Sequence, residues 1–351
     1  MTSEQLDDIA GLPRGPVDRW LRSAIGDRFD SKEWRAEPIS GGLSNLTYRL
    51  RLGDGSSVVL RRPPLGGVLP SAHDMRREWT LLTALYGTGI PVPQPLALCT
   101  DDSVLGGTFY VMSDVPGEVF RTSADTGALT GPQRRDLSTV FVGTLTDLHA
   151  LNPYEVGLAD FGRPDHFNER QVRRWGEQWR RSQRQELPDM DRLLALMASR
   201  IPATHDVSIV HGDFRLDNML VAAGTADISV NAVVDWELST LGDPLADLGL
   251  ALTYWHDMHD DERALIPIAL GVTAHPGFMT TTEIAEQYSR TSGRRLDELN
   301  FYQAMGAMKL AVILAGVEAR FNDGHMSDQG PLSLREAIRV LVARGLRAIT
   351  V

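Results

Sequence analysis

The most informative segment of the chain is Ile-Val-His-Gly-Asp-Phe-Arg-Leu-Asp-Asn-Met-Leu, residues 209–220. Its ends are apolar and its middle is polar, a pattern that predicts a short buried strand, a polar turn and a return to the core. The side chains of His211, Asp213 and Asn218 are therefore expected in a loop that is anchored at both ends. Farther along, the segment Asn-Ala-Val-Val-Asp-Trp-Glu predicts a second apolar strand that ends at the carboxylate of Asp235.

The spacing of these polar residues matches a known catalytic loop. The interval of five residues from Asp213 to Asn218 equals that of the protein-kinase loop His-Arg-Asp-Leu-x-x-x-Asn, where the Asp accepts the hydroxyl proton and the Asn coordinates Mg²⁺. Asp235 then takes the position of a second metal ligand. Taken alone, His-x-Asp is most often a turn, and an Asp after a strand is most often a helix cap. Their occurrence together, in the kinase order, favours the catalytic interpretation.

The composition is that of a globular protein and excludes several functional classes. The 351 residues include 35 Lys plus Arg and 46 Asp plus Glu, a net charge of −11, and 42% are apolar. A net acidic chain is a poor partner for nucleic acid or an anionic membrane, since both require clustered positive charge. All basic residues except Lys32 and Lys309 are arginines. Because Cys99 is the only cysteine, an intrachain disulfide and a thiolate zinc site are excluded.

No segment of the sequence has the pattern of a membrane span or a secretory signal. The longest apolar run, residues 310–317, is much shorter than the roughly 18 residues that a transmembrane helix needs. Residues 1–15 lack the apolar core of a signal peptide. We therefore expect a cytoplasmic protein with no nucleic-acid or membrane partner.

Periodicity divides the chain into a small β-rich lobe at residues 1–115, with a leading helix, and a larger helical lobe at residues 116–351, so the expected fold class is α+β. The first lobe is predicted to hold strands at 46–52, 57–62, 95–99 and 108–113 and helices at 16–29 and 73–86. The second is predicted to hold helices at 136–151, 169–183, 189–200, 244–255, 301–321 and 332–349, with strands at 208–210 and 230–234.

Several further stretches resemble the aminoglycoside phosphotransferase and choline kinase-like superfamily, which has the two-lobed protein-kinase-like fold. The subgroup that the chain most resembles is the phosphotransferases related to domains fused to acyl-CoA dehydrogenases. The stretches that carry the resemblance are Ser-Gly-Gly-Leu-Ser-Asn at 40–45, Val-Leu-Arg-Arg-Pro-Pro at 59–64, the loop at 211–218, Val-Asp-Trp-Glu at 234–237 and Gly-Asp-Pro-Leu-Ala-Asp-Leu at 242–248. The resemblance implies transfer of the γ-phosphoryl group of ATP, with Mg²⁺, to a hydroxyl of a small molecule.

The resemblance also implies a nucleotide site in the first lobe. A glycine-rich loop lets backbone N–H groups approach phosphate oxygens, although a plain hairpin turn explains the same residues. Arg61 stands where the family usually has a lysine on the phosphates, while Arg62, on the opposite face of the strand, is expected to be an exposed edge residue. Glu78 would hold Arg61 toward the phosphates, or would be a solvated helix charge. The residues implied for the nucleotide site are Ser40, Gly41, Gly42, Ser44, Asn45, Arg61, Glu78, Met112 and Asp114. Met112 and Asp114 belong to the hinge between the lobes, whose backbone would bind adenine. The hinge segment is also consistent with a core strand that leaves the sheet.

In the second lobe, the resemblance implies that Asp213 accepts the hydroxyl proton and that Asn218 and Asp235 hold Mg²⁺. The residues interpreted as supports of this loop, without a chemical role, are His211, Asp243 and Asp247.

The acceptor and two alternative functions stay open at this point. Aminoglycosides and choline are cationic and suit an acidic chain. The resemblance to the subgroup instead favours a hydroxyacyl-CoA or a similar metabolite as the acceptor. The arginine-rich segment 170–184 would then bind the phosphates of that acceptor. The segment 256–262, His-Asp-Met-His-Asp-Asp-Glu, is either a solvated acidic loop, a metal cluster or a border of the acceptor pocket. The presence of Arg61 where the family usually has a lysine suggests a first alternative, a catalytically idle nucleotide-binding regulatory protein. A metal-dependent hydrolase would use His211, Asp213, Asp235 and His256.

Overall fold

The computed structural model describes residues 11–26, 34–39, 45–65, 74–184, 186–203, 206–224, 227–322 and 331–351. These residues form two compact units. One contains the chain up to Pro116 together with Ala232–Glu237, and the other contains Gly117–Asn231 and Leu238–Val351. The first boundary lies next to the one expected from the sequence, but the segment Ala232–Glu237, which was expected in the second lobe, is part of the first unit.

The helices and strands follow one another as a β-rich region and then a helical region. The helices are α1 (Arg14–Ile25), α2 (Met75–Leu85), α3 (Asp102–Leu105), α4 (Ser123–Gly127), α5 (Gly131–Ala150), α6 (Phe167–Ser182), α7 (Pro188–Ser199), α8 (Leu245–Tyr254), α9 (Thr281–Ser292), α10 (Leu299–Asn322) and α11 (Pro331–Thr350). The strands are β1 (Trp34–Pro38), β2 (Leu46–Leu52), β3 (Ser57–Arg62), β4 (Pro95–Cys99), β5 (Phe109–Ser113), β6 (Ser208–Val210), β7 (Met219–Ala223), β8 (Ile228–Val233) and β9 (Thr240–Gly242).

The first unit is built on a five-stranded sheet in the order β1-β2-β3-β5-β4, with every pair antiparallel. The alternation in β2 buries Tyr48, Leu50 and Leu52 on one face, because successive side chains of a strand point to opposite faces. That face belongs to an apolar cluster that includes Val17 and Leu21 of α1. The other face of the sheet is packed by α2.

Strand β3 carries two neighbouring arginines, both of which are buried. It is an interior strand, between β2 and β5, so neither of its faces lies at an edge. Arg62 is only 8% exposed and donates to the carbonyl oxygen of Leu105 at 3.1 Å and to that of Gly11. The expectation that Arg62 is an exposed edge residue is therefore wrong, because the first-unit core covers both faces of this strand.

The second unit is mostly helical, and α10 packs against α6, α8 and α11 at its centre. Strand β6 pairs antiparallel with β9, and β7 pairs with β8, so two small sheets frame the segment between β6 and β7. Helix α9 was not predicted from the sequence. Its start has the capping box of Thr280 and Glu283, and its end has Gly293 in the left-handed conformation; a capping box and a glycine after the last turn are sequence signals of helix ends. Among the helices of the described residues, none has the length and apolar character to cross a membrane.

Candidate active site

The polar loop at residues 211–218 begins at the end of β6, where the chain leaves the core. His211 is fully buried, and Gly212 adopts φ 84°, a left-handed conformation that glycine alone takes without strain. A Cβ at Gly212 would lie 2.7 Å from the carbonyl oxygen of Leu238. A short 3₁₀ turn, Leu216–Asn218, then returns the chain to β7. The segment thus forms the anchored polar loop that the sequence predicts.

We expect Gly212→Ala to lower the free energy of unfolding by about 1–3 kcal/mol, because an added Cβ meets both backbone strain and the backbone of Leu238. Urea unfolding measures the change. Gly293→Ala is the matched control, since Gly293 also has a positive φ but has no neighbouring atom within 4 Å of the added Cβ. Equal losses in the two variants would contradict the close packing of Gly212 against Leu238.

A fully buried carboxylate holds the start of this loop. Asp247 accepts from the backbone N–H of His211 at 2.6 Å and from that of Gly212 at 2.8 Å. The imidazole Nε2 of His149 lies 3.3 Å from the same carboxylate, and its Nδ1 lies 2.8 Å from the hydroxyl of Tyr288. Burial acts to raise the pKa of Asp247, but the hydrogen bonds from His149 and the loop outweigh it and lower that pKa. Asp247 is therefore an ionised brace, which agrees with the structural role predicted for it.

Asp213 carries the carboxylate at the centre of the loop. Its Oδ1 accepts from the hydroxyl of Tyr254 at 2.5 Å, and its Oδ2 accepts from Asn218 Nδ2 at 3.0 Å. Arg215 Nε lies 3.2 Å from Oδ2. Burial raises the pKa of Asp213, but the charges of Arg215 and Lys309 and the Tyr254 hydroxyl more than offset this and lower it. The side chain remains 16% exposed, so an ionised carboxylate is accessible to a hydroxyl group.

Two of the residues predicted for catalysis are thus in direct contact. Besides its bond to the carboxylate, Asn218 Nδ2 donates to the backbone carbonyl oxygen of Asp213 at 2.8 Å. The backbone N–H of Asp213 donates to His211 Nδ1 at 3.1 Å. Main chain and side chain of Asp213 are therefore both held by loop residues that the sequence pointed to.

The first unit contains a second polar cluster, centred on Arg61. The guanidinium donates to Glu78 at 2.8 Å, to Asp235 at 2.6 Å and to Thr47 at 3.2 Å. Tyr110 also donates to Glu78, at 2.9 Å. The predicted ion pair between Arg61 and Glu78 is therefore present.

The carboxylates of this cluster differ in exposure. Glu78 is 3% exposed on its side chain, whereas Asp235 is 27% exposed. Burial raises the pKa of Glu78, and the charge of Arg61 opposes the rise. Burial also acts to lower the pKa of Arg61, but Glu78, Asp235 and their neighbours outweigh it and raise that pKa. Glu78 therefore positions the arginine, while Asp235 remains open to a ligand.

Sequence reasoning missed one member of this cluster, Glu237. Its Oε2 accepts from Asn45 Nδ2 at 2.9 Å and lies 3.7 Å from a guanidinium nitrogen of Arg61. The same Asn45 nitrogen donates to Glu78 at 3.0 Å. Asp235 adopts φ 65°, an uncommon conformation for a residue other than glycine. The signal in the sequence was the second acid of Asp-Trp-Glu, two residues after Asp235.

The donor types in the first-unit cluster fit a hard divalent cation. Mg²⁺ prefers oxygen ligands and is usually held by one or two carboxylates, with phosphates and water completing the shell. Asp235 and Glu237 supply two carboxylates, and Arg61 balances only part of the charge of the three acids around it. Among the described residues, no group of three or more His, Cys, Asp or Glu is arranged for a metal.

The remaining predicted residues have separate positions. Ser40, Gly41, Gly42 and Ser44 lie outside the described residues, whereas Asn45 belongs to the Arg61 cluster. Met112 lies near the end of β5, and Asp114 directly follows this strand. The Asp114 carboxylate accepts from Arg49 at 2.7 and 3.1 Å and from Ser57 at 2.6 Å. The side chain of Asp114 thus links β2 and β3 to the residue after β5. The adenine contact expected of this segment therefore falls to its backbone.

The acidic segment at 256–262 is engaged in structural contacts. Asp260 accepts a bidentate pair of hydrogen bonds from Arg344 at 2.9 and 2.8 Å. Asp257 accepts from the backbone and the hydroxyl of Thr281 at 2.8 and 2.6 Å. The backbone N–H of His256 donates to Thr273 Oγ1 at 2.7 Å. These contacts tie Asp257 to α9 and Asp260 to α11.

The predicted residues thus form two clusters. Asp213, Asn218 and their braces lie in the second unit, and Arg61, Glu78, Asp235 and Asn45 lie in the first.

The chain is similar to known proteins in sequence and in fold. The sequence profile of the phosphotransferase enzyme family matches residues 35–277. The chain is 35% identical to Acyl-CoA dehydrogenase family member 11 of Gallus gallus over 313 aligned residues. The aligned region covers 88% of this chain and 39% of that protein. It is 30% identical to a candidate aminoglycoside phosphotransferase from Ralstonia eutropha, whose crystal structure matches with a TM-score of 0.81 over 96% of this chain and 98% of that one.

A more distant structure shares the fold alone. A thermostable mutant of an aminoglycoside phosphotransferase, solved as a ternary complex with AMP-PNP and hygromycin B, is 14% identical and has a TM-score of 0.58 over 93% of this chain and 98% of that chain. The fold is therefore the kinase-like fold of the aminoglycoside phosphotransferases, with a small antiparallel sheet and a helical region. The chain spans 39% of the length of the Gallus gallus relative.

Proposed function

Because the chain belongs to the phosphotransferase enzyme family, we propose that it transfers the γ-phosphoryl group of ATP, with Mg²⁺, to a hydroxyl group of a small molecule. The observation that carries this proposal is the Asp213 carboxylate: it is ionised, partly exposed and fixed by Asn218 and Tyr254. A hydroxyl that attacks phosphorus needs such an acceptor for its proton, and phosphoryl transfer depends mainly on positioning and charge stabilisation.

Each of the site residues has a separate role in the proposed reaction. Asp213 orients the acceptor hydroxyl and takes up its proton. Asn218 and Asp235 each offer an oxygen to Mg²⁺, which when bound neutralises charge on the phosphates. Arg61, held by Glu78, contacts the α- and β-phosphates. The backbone around Met112 and Asp114 binds adenine, and the loop from Ser40 to Asn45 covers the phosphates. Support for nucleotide use comes from the related phosphotransferase that was solved with AMP-PNP.

For the acceptor, we propose a hydroxylated acyl-CoA or a metabolite of similar chemistry. The support is the Gallus gallus relative, named as an acyl-CoA dehydrogenase family member, to part of which this chain corresponds. The exposed arginines of α6, together with the exposed Arg184 that follows shortly after the helix, are cationic groups that phosphates of such an acceptor would meet. Hygromycin B, by contrast, occupies a relative that is only 14% identical.

The proposal is tested by measuring ATP consumption with Mg²⁺ across hydroxyacyl-CoAs, sugars, choline and aminoglycosides, with product masses recorded. We expect consumption that depends on one acceptor class and yields a singly phosphorylated product. ATP binding without consumption under any acceptor would instead support the idle regulatory protein. Phosphate release that needs no nucleotide would support the metal-dependent hydrolase.

We expect Arg61→Gln to weaken the binding of Mg-ATP by about 10- to 100-fold, since a charge-assisted hydrogen bond to phosphate contributes roughly 1.5–3 kcal/mol and 1.4 kcal/mol corresponds to a factor of ten. Titration calorimetry measures the dissociation constant. Arg61→Lys keeps the charge and should lose less affinity. Arg51→Gln is the control, because Arg51 lies on the same sheet in an exposed pair with Glu37. Unchanged affinity in Arg61→Gln would exclude a phosphate contact.

A further inference from the structure

Lys309 is unusual in the composition of this chain. Every basic residue except Lys32 and Lys309 is an arginine, and Lys309 is the only lysine in the part that the structure describes. A lysine in an otherwise all-arginine chain is informative where the two residues differ physically, because an ammonium is a compact point charge and a guanidinium is a broad planar fork. Its environment shows which of these properties matters.

The ammonium of Lys309 lies between an aromatic ring and the catalytic loop. It projects from α10, and its Nζ donates to the carbonyl oxygen of Gly212. The same Nζ lies 5.5 Å from the ring centroid of Trp175 on α6, within the range of a cation–π interaction. An ammonium has three N–H donors on one atom and fits a single carbonyl beside a ring face, whereas the five N–H donors of a planar guanidinium need more acceptors spread over a wider area.

The charges facing Lys309 come from three elements besides its own. Burial lowers the pKa of Lys309, whereas the carboxylates of Asp213 and Asp247 oppose the change, and Arg174 and Arg215 add to it. The carboxylates belong to the loop and to α8, and the arginines belong to α6 and to the loop. The ammonium is therefore attracted by two carboxylates, that of Asp213 in the loop and that of Asp247, which holds the loop.

Both polar backbone groups of Gly212 are held by charged side chains. Its N–H donates to Asp247 at 2.8 Å, and its C=O accepts from Lys309. Gly212 has no side chain of its own to restrain it and stands at a positive φ. Its carbonyl belongs to the peptide plane that carries the N–H of Asp213, so a contact that fixes this carbonyl also fixes the direction in which Asp213 leaves the loop.

We propose that Lys309 is a positioning residue for phosphoryl transfer, whose ammonium, packed on Trp175, holds the Gly212–Asp213 peptide and thereby aims the Asp213 carboxylate. The role needs a lysine, because the contact is a single carbonyl beside an indole face. This inference rests on the proposed function, and it assigns the residue that holds the carbonyl of Gly212, while Asp247 holds the N–H of the same residue.

Hydrogen–deuterium exchange tests the positioning directly and needs no acceptor. In Lys309→Met, which keeps the apolar stem, we expect exchange in the peptide covering residues 209–220 to quicken by about 10-fold, while the exchange of α5 and α11 stays unchanged. Arg320→Met is the matched control, since it removes a positive charge from an exposed position of the same helix. Unchanged exchange at 209–220, or faster exchange across the whole second unit, would overturn the proposal.

Turnover of Mg-ATP, with the acceptor found by the panel or with water, links the positioning to the reaction. We expect Lys309→Met to lower kcat by about 10- to 100-fold with KM for ATP within twofold of wild type, because the residue acts on Asp213 and not on the nucleotide. Lys309→Arg is expected to recover less than half of the lost rate. Full recovery by arginine, or an unchanged kcat in Lys309→Met, would overturn the inference.

Failure of this inference and failure of the proposed function give different results. A wild-type protein that consumes no ATP contradicts the proposed function, and the exchange experiment alone then decides whether Lys309 holds the loop. A wild-type protein that turns over ATP, beside a Lys309→Met variant with unchanged kcat, contradicts only the role of Lys309.

Discussion

Asp213→Asn is expected to lower the turnover of ATP by about 10²- to 10⁴-fold, the range that a positioned proton acceptor contributes. The amide keeps the shape of the side chain but has no charge and no basic oxygen for the hydroxyl proton. Because Asp213 is not among the residues proposed to bind the nucleotide, the dissociation constant for ATP should stay within about threefold of wild type. Steady-state kinetics and calorimetry measure the two quantities.

The same chemical change at an exposed site is the control for Asp213→Asn. Asp191 lies exposed on α7, so Asp191→Asn should leave both turnover and affinity unchanged. Equal turnover in wild type and Asp213→Asn would remove Asp213 from the reaction. Loss of ATP affinity together with turnover would instead place Asp213 in nucleotide binding.

Asp247→Ala is expected to lower the free energy of unfolding by about 3–5 kcal/mol, since it leaves the backbone N–H groups of His211 and Gly212 buried without their acceptor. His149 loses its carboxylate partner in the same variant. Urea unfolding at neutral pH measures the loss. Asp261→Ala removes an exposed acid of the same unit and should cost little.

The effect of Asp247 also depends on pH in a defined direction. Folding lowers the pKa of Asp247, so its ionised form stabilises the folded state fully above its ordinary pKa of about 4. This contribution is lost as the pH falls through the lower, folded-state pKa. The gap in stability between wild type and Asp247→Ala should therefore narrow in acid. A gap that is constant from pH 7 to pH 3 would contradict an ionised brace.

Local patterns in the sequence predicted the parts of the site that depend on neighbours along the chain. The loop at 209–220 has short-range signals: apolar ends, a glycine at a tight turn, and an Asp–Asn interval that a 3₁₀ turn closes into a contact. The ion pair of Arg61 with Glu78 was predicted only through the family resemblance. Strand periodicity likewise predicted a strand at residues 46–52, which is β2 in the structure.

Contacts between distant segments were the part that the sequence did not reveal. Arg62 is buried because β3 became an interior strand, which depends on how β5 pairs with it. Glu237 joins Asn45 across 192 positions of the chain, and Lys309 reaches Gly212 across 97. No periodicity encodes such pairings, because they are set by tertiary packing and not by spacing along one element.

We propose that this chain moves the γ-phosphoryl group of ATP onto a hydroxyl group and that Asp213 accepts the hydroxyl proton. The most direct measurement is ³¹P NMR of Mg-ATP with the acceptor panel and wild-type protein, beside Asp213→Asn. We predict that the γ-phosphate signal decays in step with the growth of ADP and of a phosphomonoester, and that the variant shows neither change. Free inorganic phosphate as the only product in the presence of every acceptor, or equal spectra for the two proteins, would contradict the claim.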